Sequence, residues 1–171
     1  MVLIAWMMAC MHPGQPTTVA QAPAVAMVMT LTAPEAAEVL EAPAAAKQAV
    51  SAELKGAGHT VSQQIDPGSI QALGTASAQL ASALDAAAGS TVVLITTTAR
   101  PRGELAGRYP WEVTVQLTVA RAGAEPMRQN LALPVNLTHI HQGPADALEA
   151  AAPRIARRTR LAVSRYHRDE P

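Results

Sequence analysis

Hydrophobic and polar positions divide residues 24–65 into three elements. The apolar run over residues 24–32 has the length of a buried strand. The alanine-rich stretch from Pro34 to Lys55 predicts a helix that is interrupted or restarted at Pro43, since proline breaks the helical hydrogen-bond ladder. Residues 59–65 then predict a second short strand. The order expected here is strand, helix, strand.

Helical periodicity returns after this strand and is followed by a continuous apolar run. Ser69 is a candidate N-cap for the second helix. The larger apolar residues after it lie on one helical face: Ile70, Leu73, Leu80 and Leu84. Ser77 and Ala87 complete this stripe at three- and four-residue steps. The β-branched and aliphatic run over 92–95, extended by threonines, predicts a buried strand, and residues 100–107 predict a loop.

Strict alternation marks two further strands. Odd positions from 111 to 119 are apolar and even positions polar, and apolar residues recur at odd positions from 131 to 137. This pattern predicts an antiparallel meander with one covered and one wet face. A final helix is expected to begin at Gly143-Pro144. The order β-α-β-α-β-β-β-α predicts an α/β (α+β) two-layer sandwich with a mixed sheet, formed by a single domain over residues 24–168.

The N-terminus carries the evidence for location. Residues 2–9 are an apolar run that fits the h-region of a secretory signal, although its positive n-region is missing, and that is too short to span a bilayer. Met7-Met8-Ala9-Cys10 resembles the lipobox of bacterial lipoproteins, in which the cysteine becomes lipidated. We therefore expect residues 1–10 to be a signal-like segment, residues 11–23 a tether and Cys10 the lipidation site.

Two alternatives to lipidation stay open at this point. The apolar run can be a secretory segment without a lipid anchor, or an ordinary frayed terminus whose cysteine is incidental. The expected location is the cell envelope, as an outer-membrane lipoprotein facing the periplasm; the alternative is a secreted or periplasmic protein.

Composition narrows the classes of function. Charged residues make up 15% of the 171-residue chain, below the roughly 25% of ordinary domains, and 13 basic residues balance 13 acidic ones. A neutral chain of this kind is not expected to bind nucleic acid. The single cysteine excludes an intrachain disulfide and a multi-cysteine zinc site.

The chain lacks the sequence patterns of common catalytic sites. Neither Gly-x-Ser-x-Gly, nor a phosphate-binding glycine loop, nor a pair of carboxylates in a strand is present. His139 and His141 would share a face if their segment were extended, but a firm metal site needs a third ligand. We therefore expect no enzyme activity, no catalytic residues, no metal and no cofactor.

Two surfaces are candidates for contact with a protein partner. One is the end of the polar sheet face, where Arg102, Arg108 and Tyr109 lie in or beside the loop before the meander. The other candidate surface is the arginine-rich last helix, with Arg157 and Arg158. These arginines suit an acidic partner or anionic lipid headgroups. The alternative is that they form an ordinary solvated helix face. The expected partners are envelope proteins, with self-association as a further form, and the membrane through the lipid anchor.

Several segments resemble one group of bacterial envelope lipoproteins. They are the first strand over residues 25–29, Gly58-His59-Thr60-Val61 before the second strand, residues 89–95, and the turn at Gly123. In this order they resemble the fold of the TolB N-terminal domain and of CsgG, the curli secretion lipoprotein, over residues 23–166. Thr30-Leu31 stands where that group often has Pro-Phe, and the long insertions of pore-forming relatives are missing.

The resemblance implies a fold and an envelope location, and no specific activity. It favours a non-enzymatic envelope lipoprotein that acts as a periplasmic accessory or assembly factor for protein partners. The alternative is a periplasmic module that binds a small ligand or a lipid in an apolar cavity between helices and sheet.

Overall fold

The described chain consists of short elements joined by tight connections. The computed structural model describes residues 23–169 apart from 34–37, 66–67, 69, 71–74 and 104–106, and only the backbone of 38–39 and 62–64. The elements are β1 (Ala24–Ala33), β2 (Glu38–Glu41), α1 (Ala44–Gly56), β3 (Thr60–Gln64), α2 (Ala76–Ala86), β4 (Thr91–Pro101), β5 (Tyr109–Ala120), β6 (Met127–Leu137) and α3 (Pro144–Asp169).

Within these residues the strands form one six-stranded mixed sheet in the order β2-β1-β4-β5-β6. Strand β1 pairs in parallel with β4 over eight residue pairs, from Val25 opposite Thr91 to Thr32 opposite Thr98. The other edge of β1 is shared, because β3 pairs with its first half and β2 with its second half. Strands β4, β5 and β6 form an antiparallel meander, so the mixed α/β fold expected from the sequence is confirmed.

One face of the sheet is sealed by α1 and α3. The odd-numbered side chains of β5, such as Leu117, point into this layer, as the alternation predicts. They meet Leu148 and Ile155 of α3, which are 0% and 1% exposed. Trp111 also points inward and packs against the same core. The burial of this continuous apolar layer is the main stabilising contribution to the domain.

Among the described residues, the opposite face is covered by a helix at one end only. Leu80 and Ala83 of α2 pack there against Val92 and Leu94 of β4. Farther along the sheet, Thr114, Gln116, Asn130 and Ala132 of the meander are exposed to solvent. The sandwich therefore has a second helical layer over β1 and β4, and an open polar face over β5 and β6.

Three local predictions need correction or lie outside the described residues. The helix expected from Pro34 begins only at Ala44, because residues 38–41 instead pair with β1 as a short edge strand. Pro43 precedes the helix, where its missing N–H costs nothing. The Thr75 side chain caps α2 by accepting from the Ala78 amide, whereas the expected cap Ser69 is not described. Strand β4 runs on to Pro101, so the predicted loop starts later.

Candidate partner-binding surfaces

The last helix places an arginine cluster beside the edge strand β6. The buried residues of α3 recur on one side, which leaves Arg154, Arg157 and Arg158 exposed on the other. These three arginines, together with residues 132–134 and Leu161, border a surface groove of about 500 Å³. We call this the arginine groove. The last helix predicted from sequence thus does more than present a basic face, because it forms a groove with a strand.

Charge in the arginine groove is not neutralised by the described residues. The Arg154 Nη1 atom donates a hydrogen bond of 2.8 Å to the backbone oxygen of Pro134. Elsewhere on α3, Arg160 pairs with Glu53 at 3.0 Å and Arg165 with Asp169 at 3.3 Å. For Arg157 and Arg158 the described part of the chain shows no ion pair. Arg168, near the end of α3, likewise shows no ion pair among the described residues, but Arg157 and Arg158 are the two that border the groove.

A second groove continues along the same strand and helix. It has a volume of about 560 Å³ and lies between the β5–β6 hairpin and the C-terminal end of α3. Residues 124–129 form one wall, and Arg165, Tyr166 and Asp169 form the other. We call this the hairpin groove. The two grooves follow each other along β6, one beside residues 127–129 and the other beside residues 132–134.

Strand β6 is an outer strand of the sheet, and Pro134 reveals which of its backbone groups point outward. Proline has no N–H, and in sheets it occupies positions whose N–H would face away from the neighbouring strand. The Pro134 oxygen accepts from Arg154, which lies outside the sheet. Because both backbone groups of a strand residue point to the same side, even-numbered residues of β6 face away from β5. Arg128, Asn130 and Ala132 therefore present their N–H and C=O groups at the edge.

The predicted surface at the end of the sheet has a different character. Arg102 is exposed and forms an ion pair with Glu112 of β5. The hydrogen bond from its guanidinium group to the Glu112 carboxylate raises the pKa of Arg102. Arg108 is exposed, while Tyr109 is half-buried and packs against the main core. The charge of Arg102 is thus already balanced within the domain, and among the described contacts none joins these residues to the arginine groove.

Sequence reasoning missed a pair of histidines that comes together at the end of α3. The rings of His59 and His167 meet edge to face with centroids 5.3 Å apart, and His167 Nε2 lies 2.9 Å from the Thr91 hydroxyl. Burial, and to a smaller extent the charge of His167, lowers the pKa of His59 below its usual value. No local motif could have revealed this pair, because only the packing of α3 on the sheet brings the rings together.

The remaining candidate sites are the histidine pair near the end of β6 and the lipidation site. The segment holding His139 and His141 is a turn beyond the end of β6, in which Gln142 Oε1 accepts from the amides of Thr138 and His139, so the extended geometry considered for a metal pair is wrong. Among the described residues, no three side chains of His, Cys, Asp or Glu come together as metal ligands. Cys10 and residues 11–22 of the expected tether lie outside the described residues.

None of the described helices combines the length and apolar composition of a bilayer-spanning segment.

Comparison with known proteins shows a distant likeness in fold. No family model matches the chain, and no curated protein matches it. Among solved structures, rare lipoprotein B from Shewanella oneidensis aligns with a TM-score of 0.44 at 8% identity, covering 82% of this chain and 96% of that one. A minor lipoprotein from Acinetobacter baumannii aligns with a TM-score of 0.41 at 10% identity, covering 83% and 92%.

At these TM-scores and identities the likeness establishes neither a family nor a function for this chain. Both similar structures are of bacterial lipoproteins. The resemblance to the TolB N-terminal domain and to CsgG stays a prediction.

Proposed function

We propose that this chain is a non-enzymatic lipoprotein of the bacterial envelope whose α/β domain binds a protein partner, as an accessory or assembly factor. The observation that carries the proposal is the asymmetry of the sheet. Within the described residues, one face is sealed by helices, whereas the β5–β6 half leaves its other face, its outer edge and the adjacent arginine groove open. An open polar sheet face with a free edge is a surface that a protein partner can cover.

The anchoring part of the proposal is supported by the sequence. The lipobox-like segment ends at Cys10, and the domain begins at Ala24 with its first strand. Residues 11–23 between them include three Pro, two Gln and two Thr, as expected of a tether. The proposed location is the outer membrane, with the domain facing the periplasm. The proposed fold relationship is to the TolB N-terminal domain and CsgG.

The alternative function, binding of a small ligand or lipid, would have to use a surface groove of the described structure. The apolar cavity that it was expected to need, between sheet and helices, is filled by side chains such as Met27, Leu117 and Leu148, each at most 2% exposed. The hairpin groove is large enough for a small molecule. On its walls Arg165 and Asp169 pair with each other, whereas Glu125 and Arg128 have no ion pair among the described contacts. These two opposite charges would face a small ligand together, so the groove favours neither an anion nor a cation.

Fractionation tests the anchor. We expect the wild-type chain to be in the membrane fraction and to incorporate labelled palmitate, and Cys10→Ala to lose both properties. Met11→Ala is the matched control, since it changes the neighbouring residue and keeps the cysteine. A wild-type chain that is soluble and gains no lipid mass would contradict the lipoprotein part of the proposal.

Site-specific photo-cross-linking tests the binding part in the native envelope. A photoreactive amino acid placed at Gln116 on the open sheet face should form discrete protein adducts. The same group at the exposed Gln48 on α1 is the control position. Charge reversal at Arg157 and Arg158 should weaken the adducts more than charge reversal at Arg102 and Arg108. Equal labelling from Gln116 and Gln48 would mean that the open face has no dedicated partner.

A further inference from the structure

The edge of β6 and the flank of α3 together have the form of a strand-addition site. We propose that an extended, acidic segment of a partner protein binds along β6 as an additional strand, between β6 and α3. The inference rests on the proposed partner-binding function and adds the site and the chemistry of the bound segment. Peptide-binding domains of several folds use this arrangement, in which an edge strand supplies backbone hydrogen bonds and an adjacent surface selects side chains.

The backbone of β6 supplies the first requirement. Arg128, Asn130 and Ala132 present outward N–H and C=O groups at every second residue, as derived above from Pro134. Pairing with these groups covers about 13 Å of strand, at roughly 3.3 Å per residue. Beyond them, Pro134 offers no donor, and its oxygen is already used by Arg154. The edge is thus blunted toward the C-terminal end of β6, and before Pro134 none of the described strands pairs with it.

The flank of α3 supplies the second requirement. Leu161 is 44% exposed, which is unusual for a large apolar side chain in this domain. It borders the arginine groove together with Leu133, which is half-buried. Arg157 and Arg158 border the same groove without an ion pair in the described residues. An added strand would therefore place alternate side chains against an apolar patch and two available guanidinium groups.

Charge distinguishes the proposed occupant from the other candidates. Two copies of this chain paired through β6 would bring Arg128 and the two arginine grooves close together, and like charges on facing strands are unfavourable. An anionic membrane surface would satisfy the arginines, but it offers no ladder of backbone groups to the β6 edge. An acidic peptide in an extended conformation satisfies both the arginines and the edge.

The experiment measures binding of a defined peptide to the purified full chain. The probe is a fluorescent ten-residue peptide that alternates Glu and Val, followed by fluorescence anisotropy at low salt. Two control peptides separate the contributions: one has Gln in place of Glu, and the other is N-methylated at alternate residues, which removes backbone donors. We expect the first control to bind at least tenfold more weakly, and the second to bind at least tenfold more weakly at unchanged charge.

Variants of the protein test the same two contacts. Ala132→Pro removes one outward N–H and leaves the β5–β6 ladder intact, as Pro134 does naturally two residues away. Ala132→Ser is the matched control, because it keeps the N–H at the same exposed position. We expect Ala132→Pro to weaken binding at least tenfold and Ala132→Ser to leave it within twofold. Arg157→Glu combined with Arg158→Glu should also weaken binding at least tenfold. Far-UV circular dichroism confirms that each variant is folded.

Three outcomes would overturn the inference. Unchanged binding in folded Ala132→Pro would exclude strand addition, and equal binding of the N-methylated peptide would do the same. Absence of peptide binding, with tight binding to vesicles containing 30% phosphatidylglycerol, would assign the arginine groove to a membrane surface. These failures can be told apart from failure of the proposed function by cross-linking from Gln116 in the envelope. If protein adducts persist in Ala132→Pro and in the double arginine variant, the domain still binds a partner, but not through β6.

Discussion

Replacing Leu117 by alanine tests both the core and the assignment of the two sheet faces. Leu117 lies in the middle of β5 and is 2% exposed, in the layer between the sheet and α3. Removing its three outer carbon atoms forfeits about 2.4 kcal/mol of transfer free energy, at about 0.8 kcal/mol per buried carbon. The β-sheet backbone cannot collapse far into the space, so a residual cavity adds to this cost. We expect a total of about 3–4 kcal/mol, within the usual range for buried leucines.

Urea unfolding followed by far-UV circular dichroism measures this change, with the free energy of unfolding obtained by linear extrapolation. In a thermal experiment the same loss lowers the Tm by about 6–16 °C for a chain of this size. Thr118→Ala is the matched control, because Thr118 is the next residue of β5, points to the opposite face and is half-buried. It should cost less than about 1 kcal/mol. Equal losses for the two variants would refute the assignment of the faces.

Two further predictions concern buried polar groups. Burial and the nearby His167 lower the pKa of His59, so the unfolded chain binds a proton at His59 more readily than the folded chain does. The stability contributed by neutral His59 is therefore fully present above about pH 6.5 and is lost as the pH falls through the lowered pKa. His59→Gln should flatten the pH dependence of the unfolding free energy between pH 7 and 5, and an unchanged profile would contradict this. Thr97→Val should cost about 1–3 kcal/mol in urea unfolding, since the buried Thr97 hydroxyl donates a 2.6 Å hydrogen bond to the Thr30 oxygen. Thr96→Val, at a half-buried neighbouring position, is its control, and a loss of similar size there would show that the hydrogen bond is not responsible.

The parts of the fold that could be predicted are those whose signal is local. The alternation of apolar and polar residues over 111–119 predicts a single strand with one buried face, because successive side chains of a strand point to opposite sides. The structure confirms this strand as β5. Strand β2 was missed because its four residues carry no comparable period and are held by pairing with the second half of β1. The side of the sheet that α2 covers was equally beyond local pattern, since it depends on how the chain crosses from β3 to β4.

For the candidate surfaces, too, the sequence predicts the local features and not the contacts between distant segments. The sequence alone indicates that the last helix is rich in arginine, so Arg157 and Arg158 could be named as candidates. It does not indicate that they border the edge of β6, because the order of strands in the sheet is a property of the whole fold. The outward orientation of the Ala132 backbone follows only when Pro134 is seen beside Arg154. The link between a basic helix and a strand edge is therefore visible in three dimensions alone.

The parallel pairing of β1 with β4 has a mechanical consequence for the proposed anchored form. The proposed tether would enter the domain at Ala24, the first residue of a strand that lies inside the sheet. A partner bound at β6 would pull on the opposite side of β4, so tension carried through the sheet would cross the eight residue pairs that join β1 to β4. A pull along the axis of β1 loads this ladder in shear, so its hydrogen bonds resist together and do not open one after another. If the proposed anchor and the proposed partner are both present, this pairing would let the domain transmit force between them without unravelling from its N-terminus.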